Sequence, residues 1–176
     1  MNRHNVGFRV VDAIAARCSV SFRKPLFGNF QDCNVNCQGG RLFLAKPLTY
    51  MNRSGDAIVP ILQKSHLGIE QLLIVCDSID LPPGVCRLKM RGGSGGHNGL
   101  KSVIQALGSE DFMRLCIGVG RPLSKEDVVR FVLEDPSEDD ADLIQEGIDR
   151  AALGIIRLLT EPAEKVMHEL NRKDPH

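Results

Sequence analysis

The stretch Gln71-Leu-Leu-Ile-Val-Cys76 limits the fold of this chain more than any other. A short unbroken apolar run is the signature of a strand buried on both faces, since a strand with one wet face would alternate. Such a strand needs cover on each side, and the surrounding chain offers helical patterns to supply it. Val6, Val10 and Ile14, with Val11 and Ala15, repeat at three- and four-residue spacing, so Val6 to Cys18 reads as an amphipathic helix with Asn5 as its N-cap. Helices are also expected from about Gly55 to Ser65, with Pro60 inside and Asn52 or Ser54 as cap, and from about Leu100 to Leu107. A further helix should open at Ser124-Lys-Glu-Asp127. A long one should run from Pro136-Ser137 to about Leu159 with Leu143, Ile148, Ala151, Ala152, Ile155 and Leu159 facing the core, and a last one from about Pro162 to Asn171. Residues 26–37 and 41–46 around Gln38-Gly39-Gly40 read as a hairpin, Val85 to Met90 as a half-exposed strand carrying Arg87 and Lys89, and Phe112 to Gly120 as a second buried strand. Strands alternating with helices make a single α/β domain over residues 1–176.

The buried run ends in Asp77, where α/β sheets place their ligands. Asp80 is better read as shaping the turn before Pro82 and Pro83. A second candidate stretch is Arg91-Gly-Gly-Ser-Gly-Gly-His97-Asn98-Gly99. Glycines at 92, 93, 95 and 96 allow a tight turn and a close approach to a ligand, and a loop built only to turn needs neither His97 nor Asn98. It fits neither the dinucleotide fingerprint nor a P-loop, because position 98 is Asn and no Gly-Lys-Ser/Thr follows. His4 sits just ahead of a helix N-terminus, whose dipole disfavours the imidazolium and so suits a general base.

Net charge is zero, but residues 1–130 hold 17 Lys and Arg against 10 Asp and Glu, and residues 131–176 hold 5 against 12. A basic body suits a polyanionic partner. No apolar run approaches the roughly 18–20 residues that cross a bilayer, and no signal-peptide pattern opens the chain. The cytoplasm is therefore the expected compartment. The six cysteines, at 18, 33, 37, 76, 86 and 116, form no C-x-x-C pair. They read as small buried hydrophobes or free thiols and not as a zinc site.

Arg3-His-Asn-Val-Gly7, Lys46-Pro-Leu-Thr-Tyr-Met-Asn-Arg-Ser-Gly55, Asp77-Ser-Ile-Asp-Leu-Pro-Pro-Gly84, Gly92-Gly-Ser-Gly-Gly-His-Asn-Gly-Leu100 and Arg114-Leu-Cys-Ile-Gly-Val-Gly-Arg-Pro122 occur in that order across nearly the whole chain. Together they resemble the bacterial-type peptidyl-tRNA hydrolase family. The resemblance implies a monomeric three-layer αβα fold with a mixed twisted sheet, and hydrolysis of the ester joining a peptidyl or N-blocked aminoacyl group to tRNA. It implies His4 as general base on water and Asp77 as the residue that orients it. It places Asn52 and Asn98, with Gly95 of the loop, around the substrate, Tyr50 against the terminal nucleotides, and His97 in a supporting role. Arg87, Lys89, Arg91 and Lys101 flank the loop as candidate phosphate contacts for the acceptor stem and terminal CCA. No metal or cofactor is implied.

Two departures stand out. Cys116 occupies a position where family members often carry a basic residue. The family also begins with an apolar strand ending Gly-x-Gly-Asn-Pro-Gly, whereas this sequence opens at Met1-Asn2-Arg3. The expectation is therefore a sheet lacking that first strand, with unpaired edges and apolar neighbours exposed. Either Met1 is a misassigned start or this form is impaired. Two other readings compete: a non-catalytic RNA-binding member of the same fold, akin to the splicing-factor branch, and an unrelated nucleotide-binding α/β protein.

Overall fold

The computed structural model describes residues 2–26, 28–122, 124 and 127–172. The chain opens with a 3-10 turn at Arg3–Asn5, followed by helix α1 (Val6–Arg17). Asn5 makes no side-chain cap; the turn ahead of the helix accepts the Val6 N–H at Arg3 O. The hairpin expected next forms as β1 (Phe30–Cys37) and β2 (Gly40–Pro47), paired antiparallel from Phe30↔Pro47 to Cys37↔Gly40. A 3-10 turn (Met51–Arg53) leads into α2 (Gly55–Ser65), which continues through Pro60. Neither Asn52 nor Ser54 caps α2 through its side chain; the Ser54 hydroxyl donates back to Met51 O at 2.8 Å.

The apolar run gives β3 (Leu73–Ser78), so Asp77 lies inside the strand rather than just beyond it. β4 (Cys86–Lys89) precedes the glycine-rich loop, α3 (Asn98–Leu107) follows it, and β5 (Met113–Gly118) comes next. β5 is the middle strand of a mixed three-stranded sheet, parallel to β3 and antiparallel to β4. Then come α4 (Val128–Leu133), α5 (Glu138–Arg157) and α6 (Ala163–Asn171). Ser137 caps α5, accepting from Asp140 N. Lys125 and Glu126 of the expected α4 cap lie outside the described residues, and Asp127 makes no side-chain cap. Leu143 does not face the core. Ile144 does, since the buried stripe of α5 runs Ile144, Gly147, Ile148, Ala151, Ala152 and Ile155.

The sheet separates two apolar layers. On one side Val6, Val10 and Ile14 of α1 and Ile144, Ile148 and Ile155 of α5 pack on Leu88, Leu115 and Ile117. On the other, Ile58 of α2 and Leu100 and Val103 of α3 pack around Cys76 and Phe112. This is the α/β layering that a doubly buried β3 demands. The strands do not form one continuous sheet, however. The outer edges of β2 and β3 face each other across a cavity of about 540 Å3, walled by Leu42–Ala45 of one strand and Leu73–Asp77 of the other, with Phe8, Val11, Ile58 and Leu100 lining it. Among the described residues the hairpin is joined to the sheet by helix packing and not by a hydrogen-bond ladder.

Gly7 decides how near α1 can come to β3. A Cβ there would lie 2.4 Å from the Val75 carbonyl oxygen, so any larger residue pushes the helix away from the strand. Gly7→Ala should therefore destabilise the fold by about 1–3 kcal/mol. Thermal unfolding followed by circular dichroism should report a melting temperature several degrees lower.

Candidate active site

Three segments far apart in sequence meet at the C-terminal end of β3. The strand carries Asp77 there, nine-tenths or more buried. The 3-10 turn ahead of α1 brings His4, and the glycine-rich loop brings His97. Both imidazoles use one carboxylate oxygen: His4 Nδ1 lies 2.5 Å and His97 Nε2 3.1 Å from Asp77 Oδ1. The rings sit 5.3 Å apart, tilted by 45°. Burial pushes the Asp77 carboxyl up, but the hydrogen bonds from His4 and His97 outweigh it and hold the group below its ordinary value. The carboxylate is therefore ionised at neutral pH and can only accept, so each histidine donates to it.

The two rings differ in what their second nitrogen does. His97 also caps α3, with its Nδ1 accepting from Leu100 N at 3.2 Å. With Nε2–H given to Asp77 and the Nδ1 lone pair taken, His97 has no free nitrogen. His4 gives Nδ1–H to Asp77, its Nε2 has no hydrogen-bond partner among the described residues, and its ring lines the cavity with Asp77 and His97. These three are the one cluster of metal-ligand-type side chains among the described residues, with ligand atoms within 4.8 Å of one another, and those atoms are already used in the hydrogen bonds just given.

Two arginines that the sequence reading passed over hold the histidines in place. Arg3 is buried, donates to Asp135 O at 2.9 Å, pairs with Asp140 and stacks over the Phe131 ring, tying the His4 turn to α4 and α5. Arg114 is 2% exposed and lies over the Phe112 ring; it donates to Gly93 O at 2.7 Å and Glu110 O at 3.1 Å, fixing the base of the glycine-rich loop. For Arg114 the available signal was an arginine inside an otherwise apolar strand pattern, since a buried guanidinium must find carbonyl or carboxylate acceptors. Gly95 and Gly96, at φ +56° and +83°, occupy the left-handed region and turn His97 inward.

The remaining candidates lie outside the His4–Asp77–His97 group. Asn98 begins α3 and Asn52 sits in the Met51–Arg53 turn. Both are exposed, and neither carboxamide is engaged by another residue among those described. Tyr50 is 82% exposed. Arg87 and Lys89 project from the same face of β4, the side that α3 covers, while Arg91 and Lys101 are exposed on the loop and on α3. Asp80 pairs with Arg121 at 2.6 Å, in keeping with a structural role for it in the turn.

Comparison with known proteins finds relatives over nearly the whole chain. The family model described as peptidyl-tRNA hydrolase matches residues 1–176. A peptidyl-tRNA hydrolase of Geobacillus thermodenitrificans is 41% identical over 170 residues, 96% of this chain and 90% of that protein. The Bacillus subtilis protein of the same name is 38% identical over 171 residues, with 97% and 90% covered. A solved peptidyl-tRNA hydrolase in complex with N-propanol superposes with a TM-score of 0.93 at 34% identity, covering 99% of this chain and 89% of that one. The enzyme from Acinetobacter baumannii superposes at 0.91 and 35% identity, covering 97% and 86%. With motif order, fold and full-length similarity in agreement, the chain belongs to the peptidyl-tRNA hydrolase family.

Proposed function

We propose that His4 is the general base and Asp77 the orienting carboxylate with which this chain hydrolyses the ester of peptidyl-tRNA. One observation carries the assignment: Asp77 takes Nδ1–H of His4 and leaves Nε2 bare, while His97 has no nitrogen to spare. Nε2 removes a proton from water, and the hydroxide adds to the ester carbonyl carbon. The oxyanion of the tetrahedral intermediate is met by donors from the Asn52 and Asn98 carboxamides, both exposed and unengaged among the described residues. Collapse breaks the bond to the ribose oxygen. That oxygen leaves with the proton now on His4, and the peptide leaves as its carboxylic acid. The ionised Asp77 stabilises the imidazolium in between, as the acid of a triad does. His97 fixes the carboxylate and ties it to the first turn of α3.

The tRNA is held, in this reading, through the acceptor stem and terminal CCA. Tyr50 offers an exposed ring for a terminal base, Gly95 a bare backbone approach, and Arg87, Lys89, Arg91 and Lys101 phosphate contacts. The chain works as a monomer in the cytoplasm, where ribosomes shed peptidyl-tRNA. No helix among the described residues is long and apolar enough to cross a membrane.

Release of a labelled N-acetyl-aminoacyl group from tRNA is the direct assay. His4→Ala should lower turnover by about 10²–10⁴-fold, the range for loss of a general base, and Asp77→Asn should lower it comparably while tRNA binding persists. If His97→Ala cost more than His4→Ala, the assignment of the base would fall. A folded chain that bound tRNA without turnover, even when extended by an apolar strand ahead of Met1, would favour the RNA-binding reading. Reversing charge at Lys89 and Lys101 should weaken tRNA binding and flatten the plot of log affinity against log salt by about one unit per lost phosphate contact. An unchanged slope would remove both residues from the tRNA face.

A further inference from the structure

Cys76 and Cys116 stand directly opposite each other on the parallel strands β3 and β5, with their Sγ atoms 3.7 Å apart. Neighbouring strands are roughly 4.8 Å apart, inside the roughly 4.4–6.8 Å of Cα separation that a disulfide bridges. Cys76 is buried and directly precedes Asp77. Cys116 is only partly buried, and both lie on the face that α3 and the His97 loop cover. We propose that this pair is an oxidation site, closed to a disulfide by a hydroperoxide, that turns the hydrolase off and is reopened by a thiol reductant.

The two thiols differ in the way such chemistry requires. The hydrogen bond from Cys76 brings the Cys116 thiol down to about 7 against the effect of burial, helped by the charges of Lys89 and Arg114. Its hydrogen bond to Cys116 and its own burial push Cys76 up, so it is the partner that keeps its proton. The Cys116 thiolate attacks the outer peroxide oxygen. The S–O bond forms as the O–O bond breaks, and the departing alkoxide takes a proton to become an alcohol. Cys76 sulfur then displaces hydroxide from the sulfenic sulfur, and the Cys76 proton converts that hydroxide to water. Two thiols have been oxidised by two electrons and one hydroperoxide reduced.

The effect on hydrolysis follows from position. Closing the bond draws the sulfurs from 3.7 Å to roughly 2.05 Å, one residue from the carboxylate that both histidines share and beneath the loop carrying His97. Misplacement by about 1 Å in a catalytic constellation can cost on the order of 10²-fold. A second pair, Cys18 and Cys37, with sulfurs 3.9 Å apart, lies at the far end of α1 and serves as an internal control.

The chain would be treated with hydrogen peroxide, alkylated, and digested without reductant. A peptide linking Cys76 to Cys116 is expected, together with at least a tenfold loss of N-acetyl-aminoacyl-tRNA hydrolysis that dithiothreitol restores. Cys116→Ser and, as an independent variant, Cys76→Ala should keep the reduced activity and lose less than twofold on oxidation. Cys18→Ser should still switch. The proposal is overturned if the linked peptide does not form, if it forms with activity unchanged, or if both variants are inactivated as readily as the parent. The readout of activity rests on the hydrolase reading. The peptide map does not, so a failure of one can be told from a failure of the other.

Discussion

A single buried carboxylate with two imidazole donors on one oxygen is the constraint from which the rest of the site follows. An ionised Asp77 at the end of an apolar strand would be expensive to bury alone. The hydrogen bonds from His4 and His97 offset that cost and hold the group ionised despite burial. To deliver them, two other segments must reach the same point. The turn carrying His4 can do so because Gly7 lets α1 sit against the Val75 carbonyl, and because Arg3 is anchored between α4 and α5. The loop carrying His97 can do so because Gly95 and Gly96 adopt left-handed backbone and Arg114 grips Gly93 from below. The two histidines then divide the work by their second nitrogen, one capping a helix and one left open.

Local pattern carried much of the fold. The apolar run before Asp77 is a strand, the three- and four-residue repeat after Asn5 is α1, and the range read for α2, Gly55–Ser65, is the range observed. Misreadings fell where a neighbouring segment decides the outcome. Asn5 has the chemistry of a cap, yet the preceding residues coil into a 3-10 turn and its side chain makes no cap bond. Leu143 and Ile144 suit the period of α5 equally, and only the angle at which the helix meets the sheet buries Ile144. The hairpin was legible from its turn, but its separation from β3 was not, because alternation within a strand says nothing about which strand lies beside it.

The candidate residues were legible as types and not as a geometry. His4 and Asp77 are 73 positions apart, and no spacing rule places a side chain at the start of one helix against the end of a strand four elements later. The motifs therefore named the participants, and the fold assigned their nitrogens and oxygens. Arg3 and Arg114 went unread because charge in a sequence is first taken as surface. Here each guanidinium is spent on backbone carbonyls under the site, which makes both of them structural supports of its chemistry.

The open seam between β2 and β3 bears on how rigid this site can be. His4, Asp77, His97 and Asn98 all belong to the body built on β3, α1 and α3, whereas Asn52 follows the hairpin and could drift with it. It is held by other means. Met51 Sδ packs directly on Gly99, and the Gly55 N–H donates to Ser102 Oγ at 3.0 Å, so both ends of the turn bearing Asn52 are fastened to α3. The carboxamides of Asn52 and Asn98 therefore share one support, the first turns of α3. The hairpin meets the rest through apolar packing around the cavity and through the Lys46–Asp12 and Lys64–Asp32 ion pairs, so movement there alters the floor beneath the active site before it alters the two carboxamides. The arrangement separates the part of the molecule that the proposed mechanism needs exact, a water, a base and the donors around one carbonyl, from a part that is held only by side chains.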